Sequence, residues 1–492
     1  MISKISLLTL SLLLAVQAKV YYVSPTGNDA AVGTLAAPFK TITQGQTVAN
    51  PGDTVYFRGG VYAFVSTTAQ IGIALNKSGT PGNPIRYWAY PGELPVFDFY
   101  GMTAAQRIKG VNLTASWIHL KGFEMKGVPQ TASLKAHEDW CIYVDGGSNN
   151  ILELLNLHHN MGPGLFIING GKNLILNCDS HDNWDAYSYT SGSLDAGQNA
   201  DGFGFHSTNI ADSGTVFRGC RAWWNADDGW DFIQAATAVT VENSWSWLNG
   251  YKAGTTTASG NGNGFKVGGY GLPPSNVPAK VPQHTVRFCL AFRNRAAGFY
   301  ENHHLASNFF YNNTSYNNAA ANFNLLGYKS GDASLGILRN NIAFMGTALS
   351  NATTGTGVDA VNNSWNLVVA PTAADFESTD STGVSGPRQA DGSLPNIAFM
   401  KLKVGGAMID KGVNVGLPYV GGLPDLGAFE YGASTGIALR AHNKRAGVLG
   451  WQKDGFKITD LRGRTADQSI VRNGKNRSEI IPLRAEYISI HP

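Results

Sequence analysis

Charge and cysteine are both scarce. Charged residues make up 14% of the 492 residues, and there are four cysteines and seven methionines. So little charge argues against a solvated helical coil or an extended disordered chain. The cysteines, at 141, 178, 220 and 289, show no zinc-type spacing. Helical periodicity is absent between residues 150 and 345, which excludes a helical repeat there. One apolar run stands out, in MISKISLLTLSLLLAVQA at residues 1–18. It has a single early lysine and small residues at its end, and it is too short for a stable membrane anchor. It reads as a secretory signal cleaved before Lys19. No later segment is apolar enough to cross a bilayer, so a secreted or cell-surface protein, acting as a monomer, is expected. The net charge of +3 is unevenly placed: residues 432–492 carry eleven Lys/Arg against five Asp/Glu, +6, which leaves −3 for the rest. Basic character confined to a tail gives no support to a nucleic-acid partner.

What is abundant is glycine, 59 residues, alongside asparagine, serine and threonine. This composition suits short strands joined by tight turns. Six asparagines, Asn160, Asn183, Asn225, Asn249, Asn294 and Asn318, share one frame. Two residues before each stands a flat side chain: His158, His181, Trp223, Trp247, Phe292 and Tyr316. Four residues after Asn160, Asn225 and Asn294 comes glycine and a large apolar residue, Gly164-Leu165, Gly229-Trp230 and Gly298-Phe299, and Asn318 reaches Asn322-Phe323. Asn183 and Asn249 reach Gly202-Phe203 and Gly264-Phe265 only after about fifteen and eleven extra residues. A repeat of this length predicts an all-β, three-sided parallel β-solenoid. Equivalent residues of successive coils would then stack at about 4.8 Å. The asparagines become an amide ladder and the large apolar residues an inward column. The flat residues become a second stack, which makes His158 and His181 structural. Cys178, Cys220 and Cys289 each lie five residues before a frame asparagine. They read as small buried stackers, with a Cys178–Cys220 bridge possible but not required.

Residues 20–62 read as an opening cap, 410–431 as the segment that closes the domain, and 432–492 as a small separate β module. The predicted division is therefore 1–18, 19–431 and 432–492. Solenoid ends need such caps to hide open strand edges.

The chemistry lies where the frame is interrupted. Asp201 and Asp228 both sit one residue before the frame glycine in adjacent coils. Asp231 and Lys266 both sit two residues after it, again in adjacent coils, and Asp227 adjoins Asp228. Stacked carboxylates repel unless a cation is present. Four hard oxygen donors without histidine or cysteine favour calcium, although a lone Asp-Gly pair could simply cap a turn. A lysine close to a divalent cation and partly desolvated should have a lowered pKa, which would fit Lys266 to act as a general base.

The strings NADGFGFH, GCRAWWNADDGWDF and GNGFKVGG, with NCDSHDN upstream and PDLGAFEYG at the end, resemble polysaccharide lyase family 9. The likeness covers roughly residues 20–431 and is most specific over 178–300. It implies a right-handed parallel β-helix and calcium-dependent β-elimination on pectate (polygalacturonate). Asp201, Asp227, Asp228 and Asp231 would be the calcium ligands and Lys266 the catalytic base. His206 stands near where some members carry a lysine. Arg293, Arg295, Tyr300 and His303, in the next coil, are candidates to grip substrate carboxylates. The tail after 431 is similar to C-terminal secretion or sorting modules of Gram-negative bacteria. Another uronate polymer such as rhamnogalacturonan, a glycoside hydrolase, or a non-catalytic polysaccharide-binding solenoid remain the alternatives.

Overall fold

A computed structural model describes residues 17–433 except 105–106, 132–137, 191–192, 328–335 and 351–357. The expected signal segment up to residue 16 and the tail from 434 onward lie outside the described residues.

Parallel strands form three long sheets of twelve, ten and ten strands. Each full coil contributes one strand to each sheet, as with Thr215–Arg218, Arg221–Trp223 and Trp230–Asp231. The chain turns the first two corners with single left-handed residues. Asn177, Asn243, Asn312 and Asn340 serve at the first, and His159, Asp182, Trp224, Leu248, Arg293 and Asn317 at the second, all at φ between 48° and 59°. One such residue reverses the local bend without spending a longer loop, and asparagine bears this conformation well.

In these six coils the residue after the second corner is the frame asparagine, and the expected ladder is present. Asn249 Oδ1 accepts from both the backbone N–H and the side-chain amide of Asn225, each at 3.1 Å. Asn294 does the same for Asn249, and Asn318 for Asn294, at 3.0–3.1 Å. The ladder thereby satisfies polar groups at a bend buried from water. A frame glycine faces it: a Cβ at Gly229 would lie 2.3 Å from Ser246 Oγ, and one at Gly298 2.3 Å from Ser315 Oγ. Just beyond, Phe203, Trp230, Phe265, Phe299 and Phe323 stack inward with ring centroids 4.5–5.0 Å apart, close to the inter-strand spacing.

The cysteines are buried and unbridged. Their column continues through Asn313, Asn341 and Asn363, which form a second amide ladder at 2.8–3.0 Å. That ladder went unread in the sequence because its first positions hold Leu155, cysteine and serine.

At the N-terminal end a short helix, Ile42–Val48, covers the first coil. Thr41 caps it by accepting from the Gln44 N–H, and Gly45 sits against Val55 and Val23. At the other end Trp365, in the turn Ser364–Asn366, packs 5.2 Å from Phe323. The segment 410–431, expected to close the domain, continues a strap laid along the outer face of the second sheet. That face carries the flat residues: His181–Trp223 at 4.0 Å, Trp223–Trp247 at 4.8 Å and Trp247–Phe292 at 5.5 Å, nearly parallel. Phe376, Val384, Phe399, Met400, Met408 and Leu426 of the strap cover the aromatic part of that column. Sequence spacing could not foresee this, because the strap has no period in common with the coils.

Candidate functional site

The third sheet keeps an outer face on which charge is held. Its strands Phe203–Phe205, Trp230–Asp231, Phe265–Lys266 and Ala297–Tyr300 are neighbours in that order. Asp231 pairs with Lys266, and Lys266 with Tyr300. The inward Trp230 and Phe265 push the next side chain of each strand outward, since direction alternates along a strand.

One residue before each frame glycine, a second kind of ladder runs beside the asparagines. Asp201 Oδ1 accepts from the Asp228 N–H at 3.1 Å, Asp228 Oδ1 from the Asn263 N–H at 2.6 Å, and Asn263 Oδ1 from the Ala297 N–H at 3.2 Å. Each aspartate therefore commits one oxygen to the backbone of the next coil and keeps the other free to turn toward the cluster. Asn263 was missed in the sequence, although it occupies the same frame position as Asp201 and Asp228. It also donates its amide to Asp228 Oδ1 at 2.9 Å.

Asp201, Asp228 and Asp231 converge, each offering a carboxylate oxygen within 4.8 Å of the others. All three are buried, at 4%, 0% and 4% exposure, and Lys266 is 8% exposed. Lys266 Nζ lies 2.8 Å from Asp231 Oδ2 and 3.2 Å from Asp228 Oδ2, and Asp228 Oδ2 accepts no hydrogen bond. Asp227 adjoins the trio without being one of it, its Oδ1 accepting from the Asn261 N–H at 2.5 Å. Hence three of the four expected ligands converge directly, and the fourth braces the insertion beside them.

Burial, together with the charge of its neighbouring aspartates, raises the pKa of Asp201 and of Asp227 well above the carboxylate range. Asp228 is raised more modestly, with Lys266 opposing its burial. For Asp231 burial is outweighed by Lys266 and His206, and its pKa is lowered. Lys266 itself is raised well above the lysine range, because Asp231, Asp228, Asp227 and Asp201 outweigh the effect of its burial. The lowered pKa expected from the sequence belongs to the same lysine beside a bound divalent cation. One ammonium among so many buried carboxylates leaves negative charge uncompensated, and Asp228 Oδ2 is an oxygen with no other donor. An all-oxygen donor set of this kind fits a hard divalent cation.

Around the cluster, His206 Nε2 is 4.0 Å from Asp231 Oδ2, and burial lowers its pKa. Tyr300 flanks Lys266 on the far side, and burial raises its pKa. Arg295 reaches the second insertion, donating to Gly260 O. His303 bonds Gly327 O at 2.8 Å through Nδ1. Arg293 is carried elsewhere: its guanidinium lies over Tyr316 and donates to Ser381 Oγ at 3.1 Å, on the strap side. It is the left-handed corner residue, so its side chain cannot follow the third sheet. The two insertions meet each other, with Ser259 Oγ 3.5 Å from Ala196 O and the Lys252 amine 4.4 Å from the Trp184 ring.

Known proteins resemble this chain over most of its length. The Pel9A-like, right-handed β-helix family matches residues 21–360. Pectate lyase L of Dickeya chrysanthemi is 33% identical over 418 residues, 84% of this chain and 90% of that protein. Pectate lyase L of Paenibacillus polymyxa is 36% identical over 389 residues, 74% and 78% respectively. Among solved structures, pectate lyase Pel9A superposes with a TM-score of 0.70 at 31% identity, covering 85% of this chain and 97% of that one. A rhamnogalacturonan lyase gives 0.71 at 34% identity, covering 78% and 97%. The three parallel sheets, the cluster on the third and these relationships over most of the chain place it in the Pel9A-like right-handed β-helix family, polysaccharide lyase family 9, and make it a polysaccharide lyase.

Proposed function

We propose that the protein cleaves pectate by calcium-dependent β-elimination, with Lys266 as the base. The observation that carries this reading is Lys266 Nζ held 2.8 Å from Asp231 and 3.2 Å from Asp228 on an outward sheet face. Calcium bound by Asp201, Asp228 and Asp231, with Asp227 alongside, would neutralise the sugar carboxylate and acidify the proton next to it. Lys266 must be neutral to take that proton from C5. The carboxylates that now hold its own proton in place are those a bound cation would claim, and their release lets its pKa fall. As the C5–H bond breaks, its electron pair forms the C4–C5 double bond and the C4–O bond breaks. The leaving oxygen takes a proton from water. Asn263 holds Asp228 in position, and the Tyr300 hydroxyl, kept protonated by burial, borders the base on the other side.

Rhamnogalacturonan is the second reading, supported by the solved rhamnogalacturonan lyase that superposes as well as the pectate lyase does. Export fits a polymer too large to enter a cell. Among the described residues no helix is long and apolar enough to cross a membrane, and the segment 1–18 would direct secretion. The tail from 432 would serve attachment or sorting. Purified protein should release unsaturated oligogalacturonates from polygalacturonate, read by ultraviolet absorbance, and chelation should stop it. Turnover of rhamnogalacturonan alone would replace the substrate, and equal turnover after thorough chelation would remove calcium from the mechanism.

A further inference from the structure

On the same outer face, the column leading to the cluster is aromatic. Tyr143 pairs with Phe166, Phe166 with Gly204, and Gly204 with Asp231. The Tyr143 and Phe166 rings lie parallel, 10° apart, with centroids at 6.0 Å. Phe166 leans over Gly204, where a Cβ would come within 2.7 Å of the ring. The glycine thus lets the ring extend the platform by one coil, until it stands 4.6 Å from His206. Trp140 flanks Tyr143 at 4.7 Å. The Lys109 amine rests 3.8 Å from the Tyr143 ring centroid, and the charge of Asp145 also acts on it. Neither Tyr143 nor Phe166 belongs to an apolar cluster, and both rings remain partly exposed. This differs from the second sheet, whose stacked rings are sealed by the strap.

From this arrangement we infer that Lys109, Tyr143 and Phe166 form an extended binding floor that holds the uronate polymer along the solenoid axis on the N-terminal side of the cluster. The inference rests on the lyase reading above and adds the path of the chain and the residues that grip it. Tyr143 lies three coils from Asp231, about 14 Å at ~4.8 Å per coil, and one pyranose with its glycosidic bond spans close to one coil. Sugar rings offer patches of C–H to aromatic faces, which bury apolar area without sacrificing the hydroxyls. An ammonium over the outer ring supplies a charge-assisted partner for a uronate carboxylate. The cluster alone would bind the reacting sugar; the floor would reward length.

The test compares kcat/KM on polygalacturonate with kcat/KM on the shortest oligogalacturonate the wild-type protein cleaves. In the Tyr143→Ala/Phe166→Ala double variant the polymer-to-oligomer ratio should fall at least tenfold, and in Lys109→Ala several-fold. The aromatic exchange Tyr143→Phe/Phe166→Tyr should keep the ratio. In a Lys266→Ala background, retardation in a polygalacturonate gel should weaken with the double alanine variant. A wild-type ratio together with unchanged retardation in the double alanine variant, or in Lys109→Ala should the former not fold, would overturn the floor. A wild-type protein that yields no unsaturated product from any uronate polymer would instead overturn the lyase chemistry on which the floor depends.

Discussion

The second and third sheets expose equivalent outer columns, built by the same coils, yet the two have opposite fates. On the second sheet the column is Trp223, Trp247, Phe292 and Tyr316, and a strap with Phe376, Phe399 and Met400 buries it. On the third sheet the column passes from Tyr143 and Phe166 to Asp231, Lys266 and Tyr300, and it holds buried charge. Packing apolar rings under an apolar strap stabilises the fold. Burying carboxylates in mutual contact costs stability, and such a cost persists where it serves binding or catalysis. One column therefore supports the solenoid, and the other is the one to which the proposed chemistry is assigned.

The largest effect expected is on rate. Lys266→Ala should lower turnover of polygalacturonate by about 10²–10⁴-fold, the usual contribution of a positioned base, with the circular dichroism spectrum retained; wild-type turnover would break the distinction between the two faces. Trp247→Ala should do the reverse. Trp247 is stacked between Trp223 and Phe292, and its truncation should cost about 3–5 kcal/mol in denaturant unfolding, while KM on folded protein stays as in the wild type.

A pH series sharpens the contrast. The pKa values of Asp201, Asp227 and Asp228 are raised on folding without a cation. Stability from these groups is present while they are protonated and is lost as pH rises through their folded pKa values, above about 4, the ordinary carboxylate value. The melting temperature of chelated protein should therefore fall across that rise, and calcium at a hundredfold its Kd should add about 2.7 kcal/mol to the unfolding free energy and raise the melting temperature again. A calcium effect that does not grow with pH would contradict carboxylate repulsion as its source. The smallest effect is expected for Arg293→Ala: with its guanidinium turned to Ser381 and Tyr316, KM should stay unchanged and stability move within about 0.5 kcal/mol. A clear rise in KM would return Arg293 to the substrate side.

Much of the site was legible because a ladder fold converts sequence position into spatial position. The place of Asp201 and Asp228 before the frame glycine, and of Asp231 and Lys266 after it, fixes which side chains are neighbours. Asn263 follows the same rule, since it stands one residue before Gly264. The proton on Lys266 is not legible in the same way. Its pKa follows from how many carboxylates surround it and whether a cation shares them, and spacing does not weigh those terms. Arg293 and Arg295 lie two residues apart and diverge, one toward the strap and the other toward the insertion, because a left-handed corner separates them.

By itself, the sequence determined the coil, the amide ladder, the inward aromatic column and the set of residues that share each outer column. All of these repeat at short range, and hydrogen bonding and packing between adjacent coils enforce them. Only the tertiary structure decided which outer column would be covered. The strap reaches Trp223 and Phe292 from far along the chain and shares no period with them. Tertiary structure also decided that one oxygen of Asp228 serves the backbone while the other is left to Lys266. That division depends on the shape of the bend, where strand alternation no longer dictates direction.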